Sequence, residues 1–305
     1  MSGRATSTPK GFVRSSNAAG NDQLIFYFSG SRLLLTTENK LPTGKSPIPW
    51  ECEILTLGNL NGRTVCVGVP TDRTWKYVPK SVPFHLEKWH SILQPEGWKT
   101  LSMREALGVL SEKEFGLAGY AYQIAEFNLT NRFCGRCGQQ TRHASSELSR
   151  TCPECGLTVY PRVAPVVMVL IGRGRGAGRE LLLARGPQFP PGMYSALAGF
   201  VEPSETLETA CHREVLEEVG VRITDLRYDH SQPWPFPHSL MIGFTAEHAG
   251  GEIVPQPGEI EDAAWFPVTA LPPLPPAFSI ARRLIDEAVS RALDATASAG
   301  PSSGP

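Results

Sequence analysis

Apolar residues in the first part of the chain come in short runs. LIFYF, RLLL, CEILTL and VCVGV, from about Asp22 to Val69, are separated by Gly, Pro and Asn turns, as in a small β-rich domain. From Leu101 to Leu129 the spacing lengthens: Met103, Ala106, Leu107 and Leu110 recur at three and four residues, a helical period. Beyond a cysteine-rich stretch, APVVMVLIG and ELLLARG flank the Gly- and Arg-rich RGRGAGR. Two strands joined as a hairpin are expected there. No helix pattern follows those glycines, so they do not make a dinucleotide fingerprint.

Leu207, Cys211, Val215 and Val219 then repeat at every fourth residue and predict a helix. Pro203 and Ser204 mark its start, with Ser204 as N-cap, and Gly220 its end. Strands are expected around residues 222–228, 240–247 and 263–268. A stiff LPPLPP connector follows, then a closing amphipathic helix over residues 280–293. There is no internal repeat. The polar first residues and the breaker-rich ending ATASAGPSSGP read as disordered tails. The expected organisation is a tail (1–20), an N-terminal α+β domain (21–130), a cysteine module (131–159), an α/β domain (160–293) and a second tail (294–305).

Composition narrows the picture. A chain of 305 residues has room for two domains and buries a core without disulfides. Lys and Arg number 29 against 30 Asp and Glu, a net charge of −1. That balance speaks against a polyanion binder held by bulk charge and leaves room for a small anionic substrate. No run approaches the roughly 20 apolar residues of a membrane span, and MSGRATSTPKGFVRSSNAAG lacks the apolar core of a secretory signal. A cytoplasmic setting with no membrane partner is expected, and an organelle-targeting peptide stays open. Cys52, Cys66 and Cys211 read as small buried hydrophobes. His85, Trp89 and His90 in FHLEKWH have no evident ligand partner and read as surface or packing residues.

The other four cysteines form two knuckles, Cys134-x-x-Cys137 and Cys152-x-x-Cys155, each followed by a glycine (Gly138, Gly156). Two such pairs supply the four thiolates of a structural zinc; disulfides are the competing reading. A closed shell leaves no position for water, so this zinc is not expected to be catalytic. Arg132, Arg136, Arg142, His143 and Arg150 make the surroundings only modestly basic, which favours a scaffold over a nucleic-acid site.

The acids of the predicted helix carry the chemistry. Glu214 and Glu218 lie at i, i+4, with Glu217 beside them. Like charges at that spacing repel, and a hard divalent cation is the natural compensator. Such an ion bridges phosphates and converts a bound water into a nucleophile. Arg213 has Glu217 four residues on and can orient it, while Gly199 is expected to bend the chain so that the Ala198 carbonyl faces the metal. For an isolated E-x-x-E, an ordinary solvated helix would be the better reading.

The full segment GFVEPSETLETACHREVLEEVGV fits G-x5-E-x7-R-E-U-x-E-E-x-G-U (U, bulky aliphatic) at every fixed position. It resembles the Nudix box. That resemblance implies an α/β/α sandwich and hydrolysis of a nucleoside diphosphate linked to another moiety. It makes Glu214 and Glu218 ligands of Mg²⁺ or Mn²⁺ together with the Ala198 carbonyl, and Glu217 a ligand or the general base. His212 occupies a variable position and reads as solvated.

Downstream runs Ser231-Gln232-Pro233-Trp234-Pro235-Phe236-Pro237-His238-Ser239. Alternating prolines are expected to hold it extended, with Trp234 and Phe236 on one side as a platform for a flat base. Gln232, His238 and Ser239 offer hydrogen bonds. From physics alone, a stiff loop with core-anchoring aromatics fits equally well. SQPWPFP-x-S behind a Nudix box resembles the signature of the NADH pyrophosphatase subfamily, which also carries a four-cysteine zinc ribbon and a weakly marked N-terminal domain. The resemblance implies hydrolysis of NADH or NAD⁺ to reduced or oxidised nicotinamide mononucleotide and AMP. It also implies a homodimer and, in some members, removal of NAD caps from RNA. By position it assigns a remote metal ligand to Glu259, with Glu261 and Asp262 as rivals. Substrate contacts fall to Arg104, Glu147, Tyr160, the run from Gln232 to Ser239, and Ala281 through its backbone. A nucleotide sensor on a degenerate scaffold would lack a metal-binding glutamate, and none is missing.

Overall fold

The computed structural model describes residues 12–14, 23–29, 32–42, 52–70, 97–144 and 147–298. His85, Trp89 and His90, most of the first tail and the end of the second lie outside the described residues, as does the side chain of Cys52. The chain divides into two compact units.

One unit comprises the described residues up to Arg162 together with Trp234–His238. Its main sheet contains β1 (Phe12–Arg14), β2 (Gln23–Ser29), β3 (Arg32–Thr36), β4 (Cys52–Leu60), β5 (Arg63–Pro70) and β6 (Trp98–Ser102), in the order β1-β4-β5-β2-β3-β6. The four apolar runs of the sequence are β2 to β5, and Phe26, Phe28, Leu33, Leu34, Leu35, Val65 and Val67 from them are buried. Strand β1 stands in the stretch read as a tail, Phe12 pairing with Leu60. Helices α1 (Met103–Ala106) and α2 (Glu112–Thr130) each open on a capping box, Ser102 with Glu105 and Ser111 with Glu114. Helix α2 packs on β2 and β5, and its Phe115, Leu117, Ala118, Ala121 and Ala125 are buried. A small sheet of β7 (Arg142–His143), β8 (Arg150–Thr151) and β9 (Thr158–Val159) carries the cysteine module.

The other unit, Val163–Pro233 and the residues from Ser239 on, holds the acidic helix. Strand β10 (Ala164–Arg173) and β11 (Glu180–Arg185) form the expected hairpin around RGRGAGR. β12 (Leu197–Phe200) pairs antiparallel with β10, Gly199 opposite Val167. The remaining strands are β13 (Arg222–Trp234), β14 (Ser239–Gly250), parallel to β10, and β15 (Asp262–Pro267) beside β11. Alternation along the strands sorts the two faces. Val167, Val169, Ile171, Ile242 and Phe244 share a buried cluster with Ala210, Cys211, Val215 and Val219 of α3 (Leu207–Val219). On the opposite face Gly243 lies under α4 (Ile280–Ser298); a β-carbon there would be 3.2 Å from Ile280 Cδ1 and Leu284 Cδ1. The result is the α/β/α sandwich expected from the resemblance.

Three local expectations are corrected. The N-cap of α3 is Thr206, whose hydroxyl accepts the Thr209 N–H at 3.2 Å. Ser204 sits at φ 68°, outside the extended region an N-cap adopts. Gly199 does not bend the chain: it lies inside β12. Helix α4 continues to Ser298, past the predicted residue 293.

Candidate active site and zinc centre

Helix α3 places Val215 and Val219 in the core and brings Glu214 against Gly199 and Glu218 against Ala198 of β12. Arg213 organises them. Its Nε and Nη2 hold both oxygens of Glu205 at 2.7 and 2.8 Å, and Nη1 donates to Glu214 at 2.8 Å and Glu217 at 3.1 Å. Nη2 also reaches the Phe200 carbonyl at 2.9 Å. One guanidinium thus ties the loop before α3 and the end of β12 to two box glutamates, the fork geometry at which arginine excels. It holds the Glu205 carboxyl down at about 2, with help from the Glu202 N–H.

Glu218 is 8% exposed, and its Oε2 has no hydrogen-bond partner among the described residues. Burial, then the charges of Glu214 and Glu259, push its carboxyl up to about 8 against the pull of the Ala198 N–H. Glu214 is raised too, first by burial, with Arg213 opposing. A buried oxygen without a partner among like charges fits a cation ligand. Ala198, Glu218 and Glu259 line one cleft of about 330 Å³, with Met168, Gln188 and Phe189. The two rivals of Glu259 are engaged elsewhere, Glu261 with Arg185 and Asp262 with the Tyr194 hydroxyl.

The four cysteine sulfurs all lie within 4.8 Å of one another. Cys134 and Cys155 are 3.5 Å apart and Cys137 and Cys152 are 3.4 Å apart, far beyond the roughly 2.05 Å of a disulfide. Both knuckles fold alike: the Gly138 N–H reaches the Cys134 carbonyl at 2.9 Å, and the Gly156 N–H reaches the Cys152 carbonyl at 3.0 Å. The glycines adopt φ 75° and 72°, a left-handed turn that disfavours side chains. Backbone N–H groups of Cys137 and Arg136 lower the Cys134 thiol, while at Cys137 the pull of the Gln139 N–H is outweighed by the neighbouring sulfurs, which raise it: four thiols this close share charge unequally until a cation compensates them. Arg150, counted among the modestly basic surroundings of the cysteines, faces inward. It is buried, donating to Thr141 Oγ1 at 2.8 Å, the Thr141 carbonyl at 3.0 Å and Asn128 Oδ1 of α2 at 3.0 Å.

The segment from Ser231 to Ser239 is not extended throughout. The chain turns over residues 235–238, and the Phe236 N–H donates to the Trp234 carbonyl at 2.8 Å. Trp234 and Phe236 meet edge to face, centroids 4.8 Å apart, and the Arg104 guanidinium lies 4.9 Å from the Phe236 ring centre. Arg104 is thereby brought to the aromatic segment. Tyr160 donates to Glu147 at 3.0 Å, joining two more of the expected contacts.

The Nudix domain model matches residues 161–288, and that of the NADH pyrophosphatase zinc ribbon domain matches residues 129–160. The chain is 47% identical over 272 residues to the NAD-capped RNA hydrolase NudC of Deinococcus radiodurans, covering 89% of each protein. The chain belongs to the zinc-ribbon Nudix hydrolases. A protein of the same name from Chromobacterium violaceum is 54% identical over 194 residues, 64% of this chain and 72% of that one. A crystal structure of a Nudix hydrolase from Nitrosomonas europaea matches 56% of this chain and 94% of its own, with 23% identity and a TM-score of 0.41.

In this zinc-ribbon Nudix hydrolase the four-cysteine site is a structural zinc site. Gln232 also serves the fold, since its Nε2 donates to the Phe278 carbonyl and its Oε1 accepts the Ile280 N–H, both at 2.8 Å. Its amide is therefore committed to the start of α4. Pro233 lies near the end of β13, Ser239 opens β14 opposite Ala164, and Ala281 is buried on α4. The sequence reading missed Glu205 as the main partner of Arg213. Its fixed place in the box was the available signal.

Proposed function

We propose that this hydrolase cleaves the diphosphate linkage of NADH and NAD⁺ to reduced or oxidised nicotinamide mononucleotide and AMP. The observation that carries the reading is the buried, unpartnered Glu218 oxygen beside Glu214 and Glu259, at a cleft shared with Ala198. Glu214, Glu218, Glu259 and the Ala198 carbonyl are the groups to hold Mg²⁺ or Mn²⁺. Bound there, the cation supplies charge neutralisation on the diphosphate and a water of lowered pKa. Arg213 keeps Glu214 and Glu217 oriented, and the exposed Glu217 serves as ligand or proton acceptor. Trp234 and Phe236 offer an aromatic face for a base. His238, Ser239, Tyr160, Glu147 and Arg104 offer polar contacts, and Ala281 its backbone. The relatives' names favour a second substrate with the same linkage, the NAD cap of RNA. We expect a homodimer acting in the cytoplasm.

Purified protein incubated with NADH, NAD⁺ and NAD-capped RNA in Mg²⁺ or Mn²⁺, with products separated by chromatography, tests this. AMP and the mononucleotide should appear from the dinucleotides, and neither with EDTA or in Glu218→Gln. Capped RNA cleaved without turnover of free NADH would transfer the function to decapping. Three intact substrates would refute both.

A further inference from the structure

The aromatic segment is held from outside itself. Pro235 rests against Gly119 of α2: a β-carbon on Gly119 would lie 3.0 Å from Pro235 Cγ and 3.4 Å from Pro235 Cβ. The first distance is shorter than a normal carbon–carbon contact. Gly119 is buried in the middle of a 19-residue helix, where glycine costs roughly 1 kcal/mol relative to alanine. The helix forgoes that stability where Pro235 needs the space. Phe236 is covered by Arg104. Two turns beyond Gly119 on the same face, Glu126 is half-buried; burial raises its carboxyl and the nearby His238 opposes that. Pro235 and Phe236 therefore each meet a residue of α1 or α2.

We propose that Gly119 is a positioning residue for substrate recognition. With Arg104 it seats Trp234–His238, so that α2 sets the affinity for the dinucleotide through the aromatic pair. The inference rests on the reading that this segment binds the dinucleotide, and it goes beyond that reading by naming what holds the segment.

Gly119→Ala separates a seat from a merely tolerated glycine, because helix propensity acts on stability alone whereas the seat acts on KM. Propensity alone predicts a stabler protein of unchanged activity. The seat predicts a Tm equal to or above wild type and a KM for NADH raised about five- to tenfold with kcat within about twofold. Amide exchange at Phe236 should also quicken, since its N–H bond to Trp234 is displaced. Gly119→Val should enlarge both effects. Unchanged KM in both variants overturns the proposal, and so does raised KM with unaltered exchange at Phe236. Wild-type turnover of NADH is read separately and decides the functional reading. If that reading fails, exchange in Gly119→Val still decides the seat: faster exchange at Phe236 supports it and unchanged exchange overturns it.

Discussion

Gly199 faces the carboxyl of Glu214 so closely that a β-carbon on it would lie 1.9 Å from Glu214 Cδ and 2.1 Å from each oxygen. The absence of a side chain on β12 is what lets a glutamate of α3 lie flat against the strand. Gly199→Ala must expel that carboxylate while leaving the hydrophobic layer beneath untouched. We expect kcat to fall at least about 100-fold, the scale of a misplaced catalytic group, with a cooperative thermal transition retained. Activity within about threefold of wild type would contradict this.

Arg213 makes five hydrogen bonds to Glu205, Glu214, Glu217 and the Phe200 carbonyl. A lysine ammonium keeps the charge and loses the planar fork. Arg213→Lys should therefore lose about 10- to 100-fold in kcat and bind Mn²⁺ more weakly in a direct titration. Wild-type kinetics in this variant would show that charge alone suffices.

The Glu218 carboxyl stands at about 8 in the folded protein against an ordinary 4.5. Raised on folding, it favours the fold fully below the ordinary value, and that contribution is lost as the pH climbs toward about 8. A cation needs the ionised form, so its stabilising effect runs the other way. Melting curves in EDTA should show Tm falling across that window, and the Tm gain on adding Mn²⁺ should grow across it. Glu218→Gln should flatten both trends; a Mn²⁺ effect independent of pH would count against the assignment.

Zinc should be present at about one ion per chain and insensitive to whatever divalent ion supports turnover. Cys152→Ser removes a buried ligand and should drop zinc content below half while exposing the ribbon to protease. Full zinc retention by elemental analysis would require a different ligand set.

Much of this molecule is local in origin. The runs LIFYF to VCVGV became β2 to β5, the four-residue repeat from Leu207 to Val219 became α3, and the paired cysteines came together as spaced. Strand alternation, helical period and knuckle spacing act over a few residues, so each is written in the order of the residues themselves. What could not be read there depends on partners distant along the chain. Gly199 is glycine because of Glu214, Gln232 is committed to Phe278 and Ile280, and Arg150 is buried by Asn128 of α2. The aromatic segment turns at residue 235 and rests on Gly119. Spacing along the chain specifies which side chains share a face; only packing settles which distant face meets it, and hence which carboxylate oxygen is left buried without a partner.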